Sequence, residues 1–233
     1  MQEYSKIKMP TTVKICGLMN LDTVRAIANL PIDQVGFIFA PSQRQVTPKQ
    51  AGEMIALLKS VYAEHNAVAP KTVGVFVNPT KEQIVQTMAQ APLDIIQLHS
   101  PEPVEFCQWI KENYQVHIYK VISVSETSQI QQQLKLLQSY VGVVDAILLD
   151  TYDPIVGGGT GKTFAWHCIT QYLAWTKIQG LQLIVAGGLY EDNITQLIEE
   201  YNPDGVDISS GVETDGSKDP LKIKRFVERV KGL

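Results

Sequence analysis

The sequence predicts a single (β/α)8 barrel of the TIM type, and three observations carry that prediction. Eight short apolar runs, rich in Val and Ile, recur along the chain. Each is followed by a stretch with helical periodicity. All of this fits into 233 residues without a linker, a low-complexity segment or a break in composition. Short runs that are apolar on both faces have the pattern of buried parallel strands. Strict strand–helix alternation implies an all-parallel sheet. A doubly wound open sheet is the other arrangement such a pattern allows; eight units in roughly 250 residues favour closure. The domain assignment is one barrel over 1–233, with residues 1–11 as an N-terminal extension.

The elements follow in order. The first strand is Val13–Cys16 and the second Val35–Phe39. After it, Thr47-Pro48-Lys49-Gln50 has the capping-box spacing with Pro at the first helical position. Ala51, Met54, Ile55 and Leu58 then form an apolar stripe at i, i+3, i+4 and i+7. The third strand is Val73–Val77, and Thr80-Lys81-Glu82-Gln83 repeats the capping signal. The fourth is Asp94–His99, with Ser100-Pro101 expected to start the next helix. The fifth is Ile118–Val124. The Gln-rich stretch after it keeps a stripe of Ile130, Leu134 and Leu137. The sixth is Ala146–Asp150 and the seventh Leu181–Ala186, followed by the stripe Ile194, Leu197, Ile198 and Tyr201. The eighth is Gly205–Ser209, followed by Ile223, Phe226, Val227 and Val230.

Composition narrows the function. Apolar residues make up 45% and charged residues 19%, with net charge −4. A strongly basic field of the kind that holds nucleic acid is not expected, so an anionic ligand must be held by local groups. Cys16, Cys107 and Cys168 are few, odd in number and far apart. That argues for a reducing compartment and against a disulfide frame or a thiolate zinc site. No apolar run approaches the roughly 18 residues of a membrane span, and the N-terminus lacks a signal-peptide core. The expectation is a cytoplasmic protein with no nucleic-acid or membrane partner. The helix stripes leave monomer and homodimer both open.

In such barrels the chemistry lies at the carboxyl ends of the strands. Strand 1 ends in Lys14-Ile15-Cys16-Gly17 and strand 2 leads to Ser42-Gln43-Arg44. Strand 4 ends at His99 and strand 6 at Asp150. Strand 7 ends in Gly187-Gly188 and strand 8 in Ser209-Ser210-Gly211. Position alone lets Asp150 either cap the next loop or, desolvated after "AILL", hold a proton. Cys16 is either a small apolar filler or a thiolate favoured by Lys14, which shares its strand face. Arg44 is either a solvated loop residue or a carboxylate clamp. His99 is either a structural or a site-lining imidazole. His167 and Cys168 are adjacent but have no matching ligand set, so no metal site is expected.

The stretch "VGGGTGKTF" ends like a nucleotide-binding P-loop. The pattern requires glycine at position 156, which is Val156. The loop instead follows the sixth strand. It reads either as a wall beside Asp150 that closes over a ligand, with Gly159 and Gly161 as the closest backbone approaches, or as a flexible connector. Lys162 either adds charge there or is solvated. Gly187, Gly188, Ser209, Ser210 and Gly211 fall at the two loops where barrels commonly hold phosphate.

"KICGL", "VGFIFAPSQRQV", "VGVFVN", "IQLHS", "ILLDT", "GGGTGKTFAW", "AGGL" and "GVDISSGVE" occur in this order. The order and spacing resemble phosphoribosylanthranilate isomerase over nearly the whole chain. Ser100 and Ala165 stand where that family often has Gly and Asp. The resemblance implies a (β/α)8 barrel of tryptophan biosynthesis. It implies conversion of N-(5-phosphoribosyl)anthranilate to 1-(2-carboxyphenylamino)-1-deoxyribulose 5-phosphate, an Amadori rearrangement, without a cofactor. It implies Asp150 as general acid, Cys16 as general base and Arg44 as the anthranilate clamp. His99, Gly159 and Gly161 would contact the substrate, and the strand-7 and strand-8 loops would take its phosphate. The isomerase of histidine biosynthesis performs the same chemistry but has aspartate where this chain has Cys16. A P-loop phosphotransferase and a non-catalytic phosphate-binding barrel are the remaining readings.

Overall fold

The computed structural model of the chain describes residues 10–124, 129–151 and 166–233. The strands are β1 Thr12–Cys16, β2 Gln34–Ile38, β3 Lys71–Phe76, β4 Ile95–Leu98, β5 His117–Val124, β6 Ala146–Thr151, β7 Gln182–Ala186 and β8 Gly205–Ile208. Each pairs in parallel with the next, and β8 returns to β1, so the sheet closes into a barrel as expected. Its helices are α1 Leu21–Ile27, α2 Pro48–Glu64, α3 Lys81–Gln90, α4 Val104–Asn113, α5 Ile130–Leu137, α6 Ile169–Gln179, α7 Ile194–Tyr201 and α8 Pro220–Lys231. A short antiparallel hairpin, β9 Glu213–Thr214 and β10 Ser217–Lys218, stands between β8 and α8. No helix among the described residues is long and apolar enough to cross a membrane.

The helix signals act as their chemistry requires. Both capping boxes form: Thr47 and Gln50 bond reciprocally at the start of α2, and Thr80 and Gln83 do so at α3. Each such cap stabilises its helix by about 1 kcal/mol. Ala51, Met54, Ile55 and Leu58 are all buried on α2, and Ile223, Phe226 and Val227 on α8. One start is misplaced. Ser100-Pro101 does not open a helix, and α4 begins at Val104 after Pro103. The Ser100 N–H is taken by the Glu102 carboxylate at 3.1 Å. The same carboxylate accepts from buried Lys120 at 2.7 Å, and Lys120 also bonds the Ser100 carbonyl. A buried ion pair, rather than a cap, fixes this loop.

Side chains alternate between the inside of the barrel and the helix layer. Val73, Ile95, Tyr119, Val121, Ala146, Leu148, Ile184 and Ala186 form an apolar cluster separate from the main core. The remaining arc, from β8 through β1 to β2, carries polar groups instead. Gln34 donates to the Tyr119 hydroxyl at 2.8 Å. Lys14 pairs with Asp207 at 2.8 Å, and both are almost fully buried. Removing one partner of a buried pair costs about 3–5 kcal/mol, because the other charge is stranded. Gln34 and Tyr119 lie toward the amino-terminal end of the barrel, and Lys14 and Asp207 lie beneath the β8–β1 side of its mouth.

Candidate active site

The carboxyl ends of the strands enclose a cavity of about 300 Å3. Cys16 at the end of β1 and Asp150 near the end of β6 both line it, and the ends of β7 and β8 stand between them. Arg44 and His99 line it too, as do Gly187, Gly188, Ser209, Ser210 and Gly211. Cys16, Arg44, His99, Asp150 and the small residues after β7 and β8 thus meet in one place. The stretch 152–165, with Gly159, Gly161 and Lys162, lies outside the described residues. A larger depression of about 1040 Å3 opens at the opposite end of the barrel, lined by residues such as Thr12, Lys71, His117 and Gln182. It contains none of these groups.

Cys16 is 6% exposed. Lys14 hydrogen-bonds its thiol and Asp207 together. The sequence led us to expect that Lys14 would favour the thiolate. Lys14 does pull in that direction, but burial is larger, and Asp207 adds to it. The net result is a thiol pushed above its ordinary value. Burial disfavours the Lys14 ammonium as well, yet Asp207 and Cys16 together hold its proton above the ordinary lysine range. The ion pair with Asp207 thus favours the charged form of Lys14 beside the Cys16 thiol.

Gly36 on β2 makes room for this pair. A Cβ there would lie 2.9 Å from Cys16 Sγ and 3.3 Å from Lys14 Nζ. Gly36→Ala is expected to push the sulfur aside. A 1 Å misplacement of a reacting group can cost about a hundredfold in rate. The expected outcome is a kcat at least about tenfold lower with the circular dichroism spectrum of the wild type; unchanged kcat would show that Cys16 needs no such fit.

Asp150 is less dried out than its apolar run suggested, with 29% of its side chain exposed. Its Oδ2 lies 3.5 Å from Nε2 of His99, which is 32% exposed. Asp150 is thus half-buried at the cavity wall, not sealed in an apolar run.

Arg44 forms a two-bond ion pair with Glu213: Nε to Oε1 at 2.7 Å and Nη2 to Oε2 at 2.7 Å. Arg44 and Lys218 both bond Glu213, and this outweighs burial to keep its pKa below the usual glutamate range. Glu213 and Lys218 escaped sequence reasoning, although Asp215-Gly216 between them is the hairpin signal that pairs them. Gln97 and Asp207 also went unremarked as cavity residues. Their signal is a polar side chain at an inward position of an apolar run. Gln97 Oε1 and Asp207 Oδ1 are buried with no hydrogen-bond partner among the described residues, and both residues line the cavity.

The loop after β7 turns through Gly187 and Gly188, with φ of 82° and 63°. Both values are left-handed, where a side chain is strained. Asn193 staples the loop, donating to the Gly188 carbonyl at 2.8 Å and accepting from the Tyr190 N–H at 2.9 Å. After β8, Ser210–Val212 forms a single 3₁₀ turn. These loops supply small residues and backbone amides on one wall of the cavity, as an anion requires. No group of His, Cys, Asp and Glu among the described residues is arranged to hold a metal ion.

Comparison with known proteins gives a consistent relationship. Residues 13–229 match the family model described as N-(5'phosphoribosyl)anthranilate (PRA) isomerase. The N-(5'-phosphoribosyl)anthranilate isomerase of Brevibacillus brevis is 42% identical over 221 residues, covering 95% of this chain and 94% of that one. Phosphoribosyl anthranilate isomerase from Thermotoga maritima aligns with a TM-score of 0.79 at 35% identity, over 96% of this chain and all of that one. A phosphoribosyl anthranilate isomerase in complex with reduced 1-(o-carboxyphenylamino)-1-deoxyribulose 5-phosphate aligns with a TM-score of 0.75 at 32% identity, with the same coverage. The chain belongs to the N-(5'-phosphoribosyl)anthranilate isomerase family.

Proposed function

We propose that this protein catalyses the Amadori rearrangement of N-(5-phosphoribosyl)anthranilate to 1-(2-carboxyphenylamino)-1-deoxyribulose 5-phosphate in tryptophan biosynthesis. One observation carries the reading: Cys16 and Asp150 line a single cavity, with the small-residue loops of β7 and β8 between them. A sugar phosphate laid across that cavity has a carboxyl on one side and a thiol on the other.

The reaction divides into two proton events. Asp150 protonates the furanose ring oxygen. The C1'–O4' bond breaks as the amine lone pair forms the C1'=N bond, leaving a cationic Schiff base. Cys16, as thiolate, takes the C2' proton, and the C–H electrons flow to C1' and discharge the nitrogen cation. The product enolamine then tautomerises: C1' gains a proton and the C2' hydroxyl loses one. The cationic nitrogen forms only after ring opening, and its charge adds to that of Lys14. Together they oppose the burial that pushes the Cys16 thiol up.

The remaining residues hold the substrate. The amides of Gly187, Gly188, Ser209, Ser210 and Gly211 take the phosphate. Gln97 Oε1 and Asp207 Oδ1 accept from ribose hydroxyls, the donors their unpaired oxygens lack. His99 orients Asp150. Arg44 clamps the anthranilate carboxylate. Glu213 takes its Nε–Nη2 edge, so the Nη1–Nη2 edge faces the substrate, and that edge also presents two parallel donors. The catalytic unit is one barrel domain acting in the cytoplasm, with residues 1–11 as an extension.

The test uses substrate generated in situ and followed by loss of its fluorescence. Purified protein is expected to turn it over without added metal or nucleotide, and no turnover would refute the reading. Arg44→Ala is expected to raise KM about tenfold or more, with a smaller change in kcat. An unchanged KM counts against the clamp.

A further inference from the structure

We infer that Glu213 is a positioning residue that aims Arg44 at the substrate carboxylate, and that the β9–β10 hairpin fixes this aim relative to the loop after β8. The inference rests on the proposed function and names a further determinant of how that site recognises its substrate.

Four contacts carry it. Glu213 holds the Nε–Nη2 edge of Arg44 at 2.7 Å through each bond. On the neighbouring strand, Lys218 pairs with Glu213 in register and donates to its Oε1 at 2.6 Å. Lys218 also donates to the Ser209 carbonyl at 2.9 Å and to its hydroxyl at 3.1 Å. The Ser209 hydroxyl in turn donates to the Cys16 carbonyl at 3.1 Å. An unbroken chain of contacts therefore runs from the guanidinium through the hairpin to Ser209 and the backbone of the proposed base.

The chain is stiff where it matters. Glu213 and Lys218 side chains are 7% and 1% exposed. The turn between the strands is Asp215-Gly216, both with positive φ, which suits a tight two-residue hairpin. Lys222 of α8 donates to the Glu213 carbonyl at 2.7 Å, which ties the hairpin to the following helix. Arg44 itself lies on a loop, on a long side chain that is 28% exposed. Without Glu213 its free edge has no fixed direction. Glu213 also places one negative charge between two cations, so their mutual repulsion does not splay the site.

The experiment is a double-mutant cycle on the full chain with N-(5-phosphoribosyl)anthranilate as the probe. Glu213→Gln alone is expected to raise KM about tenfold, with kcat within about threefold of wild type. In an Arg44→Ala background the same substitution is expected to change KM by less than about twofold, because there is nothing left to aim. Glu213→Asp keeps the charge but shortens the reach. It is expected to give the same pattern at smaller amplitude, and it serves if loss of the charge prevents folding. A Glu213 substitution that raises KM equally in both backgrounds, or lowers kcat with KM unmoved, would overturn the inference. If Arg44→Ala alone leaves KM unchanged, the clamp itself fails and this inference with it. An additive cycle beside a raised Arg44→Ala KM removes only the aiming role.

Discussion

Asp150→Asn is expected to lower kcat by about three orders of magnitude and to leave the fold intact. Asparagine has nearly the shape of aspartic acid and retains a hydrogen-bonding carbonyl, so the cavity keeps its outline. It has no acidic proton to give the furanose oxygen, and general acid–base groups contribute about 10²–10⁴ in rate. Asp150 stands with its carboxyl partly exposed and with His99 3.5 Å away. KM is expected to change little, because the proposed anchors are the phosphate loops and Arg44. Steady-state fluorescence and a thermal melt check both halves. Wild-type kcat in the variant would remove Asp150 from the chemistry.

Cys16→Ser is expected to lower kcat by a similar factor of about 10³. Serine is smaller and far less acidic than a thiol. It cannot serve as an anionic base beside Lys14 at neutral pH. The pH profile follows from the thiol's surroundings. Burial raises its pKa above the ordinary thiol value, and Asp207 adds to the rise; Lys14 and Lys218 oppose both without cancelling them. For an acid whose conjugate base is the active form, a raised pKa moves activity to higher pH. In the free enzyme kcat/KM is therefore expected to climb from pH of about 7 through 9, wherever proton removal limits the rate. This rise disappears in Cys16→Ser. A wild-type profile that is flat across that range would mean the thiolate is already formed, against the burial seen here.

Much of this was legible in the chain. The eight strands declared themselves because parallel strands buried on both sides need unbroken apolar runs. Thr47 and Thr80 marked helix starts because a hydroxyl is the cheapest partner for a free amide. Ser100-Pro101 misled because a buried pair, Glu102 with Lys120, had claimed the Ser100 amide, and local spacing does not reveal a pairing across 18 residues. Cys16 and Asp150 could be placed at one mouth from strand periodicity and family resemblance together. The sign of the thiol's shift could not, since it rests first on how completely the fold buries Cys16, and then on Asp207, 193 residues from Lys14. Glu213 and Lys218 were missed for the same reason. Their chemistry lies in a tertiary chain to Arg44 and Ser209, while in the sequence they resemble any charged pair flanking a turn.

The most direct test of the account separates the two proton events. Substrate carrying deuterium at C2' of the ribose is compared with unlabelled substrate in Cys16→Ser and in Asp150→Asn. If Cys16 removes that proton, its loss makes C–H cleavage limiting, and the serine variant shows a full primary isotope effect. If Asp150 opens the ring, its loss makes the earlier step limiting, and the asparagine variant shows almost none. The reverse pattern, or equal effects in the two variants, would contradict the assignment of acid and base on which the mechanism stands.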